Sequence, residues 1–297
     1  MSMISQYMLG NRILLISFLL AIFGSIFIPS TALAQQSPVQ PSARAQIESE
    51  EGIVKDDWQF TLSAGSLVMP NYPGDDEYLV ALLPNIQVRY KDILDASIQG
   101  IEVSAIRTGG FSAGPVARVD FGRDSEGAMP FAIIGGETDE LDGLDEIGIT
   151  AELGGFVRYQ TGPIRLQAEL RNGINGHESL VGSLSATYNT RLALGKTGAF
   201  LTVGPSLSFA DSDYNNAFFG ITPEASAASG LDTFEADGGL NSIGLDLTFA
   251  KPLNQRFAIF FFANYDRLVG DIADSPLVQE RGSENQFMAG LFLSYTF

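Results

Sequence analysis

The chain has no cysteine, a single histidine, and only 17 lysines and arginines against 35 acidic residues. Without cysteine there is no disulfide, no thiolate nucleophile and no lipoprotein anchor, and a lone histidine disfavours a histidine-based metal centre. A formal charge of −18 disfavours nucleic acid, whose phosphates need clustered cations. Long apolar runs are also missing beyond the first 30 or so residues. The most apolar later stretch, Phe257–Ala263, is far too short to cross a membrane as a helix, which takes about 20 residues. There is no Gly-rich phosphate loop and no cofactor fingerprint, so no cofactor is expected. What is abundant is glycine, 32 residues, and aromatic side chains, 10%, a mix that suits strands and turns.

The N-terminus carries one charge, Arg12, before an apolar run from Ile13 to Ile28 and a small-x-small site at Ala32-Leu33-Ala34. This reads as a cleaved secretory signal over 1–34. Residues 35–56, rich in Gln, Ser, Pro and Glu, read as a flexible periplasmic leader. From Trp58 onward apolar and polar residues alternate with a period of two, most cleanly where Ile164, Leu166, Ala168 and Leu170 oppose Arg165, Gln167, Glu169 and Arg171. Such alternation is a strand with one greasy and one polar face. Together with the secretory signal it predicts a transmembrane antiparallel β-barrel over 57–297, apolar side to lipid and polar side to lumen, in the outer membrane.

The last strand, Gln286–Phe297, ends on an aromatic residue with another two positions earlier. Tyr295 and Phe297 thereby resemble the assembly signal that outer-membrane barrels offer to the barrel-assembly machinery. Aromatics near other strand ends, such as Trp58, Tyr90 and Tyr159, suit interfacial girdles. Eleven segments alternate, yet single-chain bacterial barrels have even strand numbers. Within 93–107 the apolar phase jumps from even to odd positions at Gln99-Gly100. A tight turn there predicts twelve strands, and a bulge would leave ten. With twelve, the long connections 69–78, 124–146, 211–236 and 269–285 share one rim, and tight turns such as Gly195-Lys196 share the other.

Lumen-facing positions carry both signs: Arg89, Arg118, Arg158, Arg165, Arg171 and Arg191 against Glu102, Asp120, Glu152, Glu169, Asp246 and Asp266. Pairing of these charges across a narrow interior is expected, because an unpaired buried charge is costly. Residues 124–146 hold eight carboxylates and no cation, a density that suits Ca²⁺ although the spacing is not that of an EF-hand; a solvated loop is the simpler expectation. The apolar run Met129–Ile134 inside this loop is expected to fold over the barrel mouth or meet a partner. His177 and Ser179 share a face if strand-borne, the arrangement of outer-membrane lipid hydrolases, with Glu169 or Glu152 as orienting acid. The alternative is a hairpin tip carrying a solvated histidine, and this is the expectation adopted: no enzyme.

Several stretches taken together resemble the MipA/OmpV family of outer-membrane proteins. They are Tyr72-Pro-Gly-Asp75, Gly122-Arg-Asp124, Leu141–Ile147 leading into Glu152–Phe156, Gly176-His177 and Asp213-Tyr214 with Phe218–Ile221. Ser229-Gly-Leu231, Asp266-Arg-Leu268, Gly270–Val278 and Tyr295-Thr-Phe297 complete the set. The resemblance implies an outer-membrane barrel and, from the family's namesake, a scaffold joining a lytic transglycosylase to a penicillin-binding protein in murein synthesis. Other expected neighbours are lipid and lipopolysaccharide. A narrow channel or an adhesin acting through the acidic loops is the alternative reading.

Overall fold

The computed structural model describes residues 57–124 and 131–297. The expected signal sequence and leader lie outside the described residues. Fourteen strands form one sheet: β1 (Trp58–Pro70), β2 (Tyr78–Tyr90), β3 (Leu94–Ser97), β4 (Gly100–Val103), β5 (Ile106–Thr108), β6 (Phe111–Asp120), β7 (Ala132–Ile134), β8 (Thr150–Thr161), β9 (Ile164–Ile174), β10 (Leu180–Leu192), β11 (Ala199–Ala210), β12 (Gly239–Pro252), β13 (Phe257–Leu268) and β14 (Asn285–Thr296). Antiparallel neighbours run around the wall, and β1 pairs with both β2 and β14, so the sheet closes on itself. Twelve positions make up that ring. β5 continues β4 after a one-residue register shift, since both pair with β6, and β7 lies against β2 from a loop.

The phase jump near residue 100 is a two-residue hairpin, with Ser97 opposite Gly100. Gly100 sits at φ 143°, a conformation open to glycine and little else. The Gly109-Gly110 turn joining β5 to β6 has φ of 54° and 83°, the positive values that a two-residue hairpin needs. The outer face of the wall is a belt of half-exposed apolar side chains, including Leu62, Leu153, Leu166, Leu245 and Leu291. Apolar exposure on that scale, continuous around a closed barrel, is a lipid-facing surface. Trp58 and Tyr90 pack with ring centroids 4.6 Å apart near one rim, and Phe257, Tyr295 and Phe297 form a second aromatic group there. Phe297 donates its backbone N–H to Phe60, joining the chain end to β1.

The long connections emerge from the opposite rim, and most of their described residues fold into a cap. It contains α1 (Ser212–Phe219), α2 (Pro223–Ser229), a 3₁₀ turn (Gly270–Asp274) and α3 (Pro276–Arg281). Asp211 caps α1 through the Tyr214 amide, and Thr222 caps α2 ahead of Pro223. Two apolar clusters hold the cap together, one around Tyr214, Phe218, Phe219 and Ile272, the other around Tyr72, Leu141, Ile221 and Leu277. The described part of the apolar run, Phe131–Ile134, does not cross the mouth, and Met129 and Pro130 lie outside the described residues. Ala132–Ile134 instead pairs with Val80 and Ala81 of β2, a strand with free edge positions above the short β3, and keeps Ile133 and Ile134 exposed on the outer wall.

Candidate functional site: the charged wall of the lumen and its cap

Alternation on β4, β6, β8 and β9 points Glu102, Arg118, Asp120, Glu152, Arg158, Arg165, Glu169 and Arg171 inward, and they form a ladder along one wall. Arg171 donates Nε–H to Glu152 at 2.8 Å and also bonds Glu169. Arg118 grips Glu169 through two bonds of 3.1 and 3.2 Å and lies 3.7 Å from Glu102. Arg158 closes on Glu102 at 2.9 Å and on Gln167 at 2.9 Å. Glu152 and Glu169 are each 2% exposed, so their charges rest on these arginines rather than on water. The ladder runs along neighbouring strands, not across the lumen as the sequence suggested. Arg165 bonds the Gln160 amide rather than a carboxylate, and Arg191 reaches the Thr197 carbonyl at the rim. Arg89 pairs with Asp95 at 3.3 Å, a partner the alternation did not single out.

At the top of the ladder the turn between β9 and β10 tucks His177 inward. Asn175, Gly176 and Glu178 all take positive φ there, and Gly173 leaves room for the ring, since a Cβ on it would lie 2.5 Å from His177 Cε1. The histidine is therefore at a hairpin tip, as one reading had it, but buried at 7% exposure rather than solvated. Its Nε2 lies 3.2 Å from Glu152 and 3.5 Å from Asp120, and Tyr214 of α1 meets the ring edge at 5.1 Å. Burial disfavours the imidazolium, but the Asp120 and Glu152 carboxylates outweigh it and lift the pKa to about 9. In the neutral ring the Ser179 amide donates to Nδ1 at 3.2 Å, which leaves the remaining proton on Nε2 beside the carboxylates. Asp120, Glu152 and His177 come within 4.8 Å of one another, so that Nε2 faces both carboxylates. The Ser179 hydroxyl donates to the His177 carbonyl, not to the ring, and Ser179 is fully buried. The geometry does not assemble a nucleophile and its base.

The acidic loop spreads its carboxylates. Glu137, Asp139, Asp142, Asp145 and Glu146 are exposed, while Leu141, Leu144 and Ile147 anchor it in the cap. Two arginines, buried Arg123 and half-buried Arg281, staple the cap. Arg123 donates to the Phe218 carbonyl at 2.6 Å and the Asp145 carbonyl at 3.1 Å; Arg281 bonds the carbonyls of Glu140 and Ser229, and Tyr72 donates to the Arg281 carbonyl at 3.0 Å. The stretches that were scattered along the sequence, Tyr72–Asp75, Gly122–Asp124, Leu141–Ile147, Gly176-His177, Asp213–Ile221, Ser229–Leu231 and Gly270–Val278, meet in this cap and at the head of the ladder.

Residues 62–297 match the family described as MltA-interacting protein MipA. The chain belongs to the MipA family. Among curated relatives it is similar to outer membrane protein Omp26La of Vibrio anguillarum, 35% identical over 91 residues, 31% of this chain and 34% of that protein. It is likewise similar to outer membrane protein OmpV of Vibrio cholerae, 36% identical over 91 residues with the same coverage. Each match thus spans about a third of the relative's length, 34%. Solved structures with some likeness include OprB of Pseudomonas putida (TM-score 0.33, 10% identity, 73% of this chain and 59% of that one) and OprD of Pseudomonas aeruginosa (TM-score 0.32, 15% identity, 80% and 65%). Those scores are too low for anything to pass from these proteins to this chain; the barrel rests on its own strand pairing. As a MipA-family barrel with a lipid-facing belt, the protein resides in the outer membrane.

Proposed function

We propose that this barrel is a structural docking protein of the outer membrane, bringing murein-cleaving and murein-synthesising enzymes together at its periplasmic rim. The observation that carries the reading is the charge polarity of the molecule. In outer-membrane barrels the short-turn rim faces the periplasm. Among the described residues that rim holds Lys91, Arg107, Arg191, Lys196, Lys251 and Arg256 against Asp57 and Asp92, and every described lysine lies there. The cap, by contrast, is dominated by exposed carboxylates. An electropositive ring on a chain of net charge −18 favours encounter with an anionic periplasmic partner through complementary fields. The family description, which names an interaction with MltA, supports a docking role. The lining of the lumen agrees with this: the ladder ties one wall together, and Phe260, Phe262 and Phe292 pack into an apolar cluster elsewhere on it.

The test is a cross-linked pull-down of the full chain from intact envelopes, compared with a Lys91→Glu/Lys196→Glu/Lys251→Glu variant. The wild type should bring down a lytic transglycosylase or a penicillin-binding protein, and the variant should recover several-fold less at equal bait. Recovery of neither by the wild type would remove the scaffold reading. Undiminished recovery by the variant would remove the rim from it.

A further inference from the structure

On the wall facing the ladder, three strands place oxygen atoms in two short rows. Ser206, Gly244 and Asp266 are register partners across β11, β12 and β13, and one step along so are Gly204, Asp246 and Asn264. All six positions face the lumen. Asp246 and Asp266 are half-buried, and among the described residues neither carboxylate has an arginine, lysine or histidine for a partner. Their hydrogen bonds come from the Asn264 amide, 2.6 Å from Asp246, and the Ser242 hydroxyl, 3.2 Å from Asp266. The other oxygen of Asp246 and the hydroxyl of Ser206, a residue only 4% exposed, complete no hydrogen bond of normal geometry, although the two lie close enough to interact. Gly244 keeps the space between them open: a Cβ there would lie 2.2 Å from Asp266 Oδ1 and 2.6 Å from Ser206 Oγ, so both oxygens lean over one glycine. Above them a cavity of about 50 Å³, lined in part by Asp266, Asn264 and Gln286, lies beneath Tyr72–Gly74 of the cap.

We infer that Asp246 and Asp266, with Ser206, Ser242 and Asn264, bind a hard divalent cation of calcium size inside the barrel. Two adjacent carboxylates shielded from water need a positive charge or a proton. The opposite wall meets that need with arginine; here every available donor is oxygen, two of them charged. Such a set selects Ca²⁺ or Mg²⁺ over the softer metals that prefer nitrogen or sulfur. Donors spread over three strands suit the irregular six- to eight-oxygen shell of Ca²⁺ better than the strict octahedron of Mg²⁺, with water from the cavity completing it. The ion would tie β11, β12 and β13 together directly below the cap, at a place that the acidic loop, with its dispersed and exposed carboxylates, does not reach.

The test uses the full chain refolded in detergent, stripped with EDTA and titrated calorimetrically with CaCl₂, with urea unfolding run alongside. One saturable equivalent should appear and raise the unfolding midpoint. Asp266→Asn should weaken it at least tenfold, and Asp246→Asn/Asp266→Asn should abolish it. An Asp139→Asn/Asp142→Asn variant on the exposed loop should keep it. Ser206→Ala, which retains both carboxylates, should weaken it several-fold and serves if the double variant fails to fold, as judged by heat-modifiable migration. No saturable event in the wild type, or one that survives the double variant or is untouched by Ser206→Ala, would overturn the inference.

Discussion

Along β4, β6, β8 and β9, each glutamate of the ladder touches an arginine; along β11 to β13, Asp246 and Asp266 touch only amides and hydroxyls. A third region, between the two on β1, β2, β13 and β14, is an apolar patch. There Leu67, Met69, Leu79, Phe262 and Met288 form an apolar cluster inside the lumen, with Phe260 and Phe292 against it. The same pleat and the same barrel thus carry three ways of filling an interior. They differ in what a lost side chain leaves behind: an orphaned cation on the ladder, a void in the apolar cluster, and relief of repulsion beside Asp246. The consequences of substitution should therefore differ in sign as well as size.

The largest effect is expected on the ladder. Glu169→Ala would take from Arg118 its two-bond partner and leave Arg171 on Glu152 alone, and removing one partner of a buried pair costs about 3–5 kcal/mol. Urea unfolding of the refolded protein would read the loss; a change no greater than that of an exposed carboxylate such as Asp139 would mean the ladder is bathed in water. In the apolar region Gly290 faces Phe262, and a Cβ on it would lie 2.4 Å from the ring. Gly290→Ala should cost about 1–3 kcal/mol by overpacking, and Phe262→Leu in the same chain should recover part of it. Strict additivity of the two would show that ring and glycine do not oppose each other.

The smallest effect concerns pH and the cap. Asp75 is buried in the loop between β1 and β2, and burial pushes its carboxyl pKa up to about 6. The unfolded chain then loses this proton before the folded one does. The contribution of Asp75 to stability is full below about pH 4 and is lost as pH rises toward 6. Asp75→Asn should flatten the difference between unfolding midpoints at pH 4.5 and pH 7 relative to the wild type; an unchanged difference would mean the carboxyl titrates normally.

Much of the barrel was legible because a period of two is a local property. The turn at Gln99-Gly100 showed itself as a phase jump, and twelve strands followed. The apolar region also left a trace, since Met288 and Phe292 break the alternation of β14 and Phe257–Phe262 is apolar on both faces. Which arginine meets which carboxylate was not legible, because pairing depends on strand order around the ring. Asp246 and Asp266 looked like partners for lumen arginines, yet β11 to β13 carry none facing inward. The cap helices, of 8, 7 and 6 residues, are too short to show a helical period. Their start signals were present all the same, in Asp211, Thr222-Pro223 and Ser275-Pro276. The burial of His177 depends on the positive φ angles of its turn and on Gly173, neither of which marks the histidine itself.

Charge is compensated on one wall of the lumen and uncompensated on the other. Glu169→Gln and Asp266→Asn each remove one negative charge with almost no change of shape, so unfolding both in EDTA beside the wild type tests it most directly. Glu169→Gln should lower the unfolding midpoint, and Asp266→Asn should leave it unchanged or raise it. A similar fall in both would contradict the account, since Asp266 would then have a positive partner of its own.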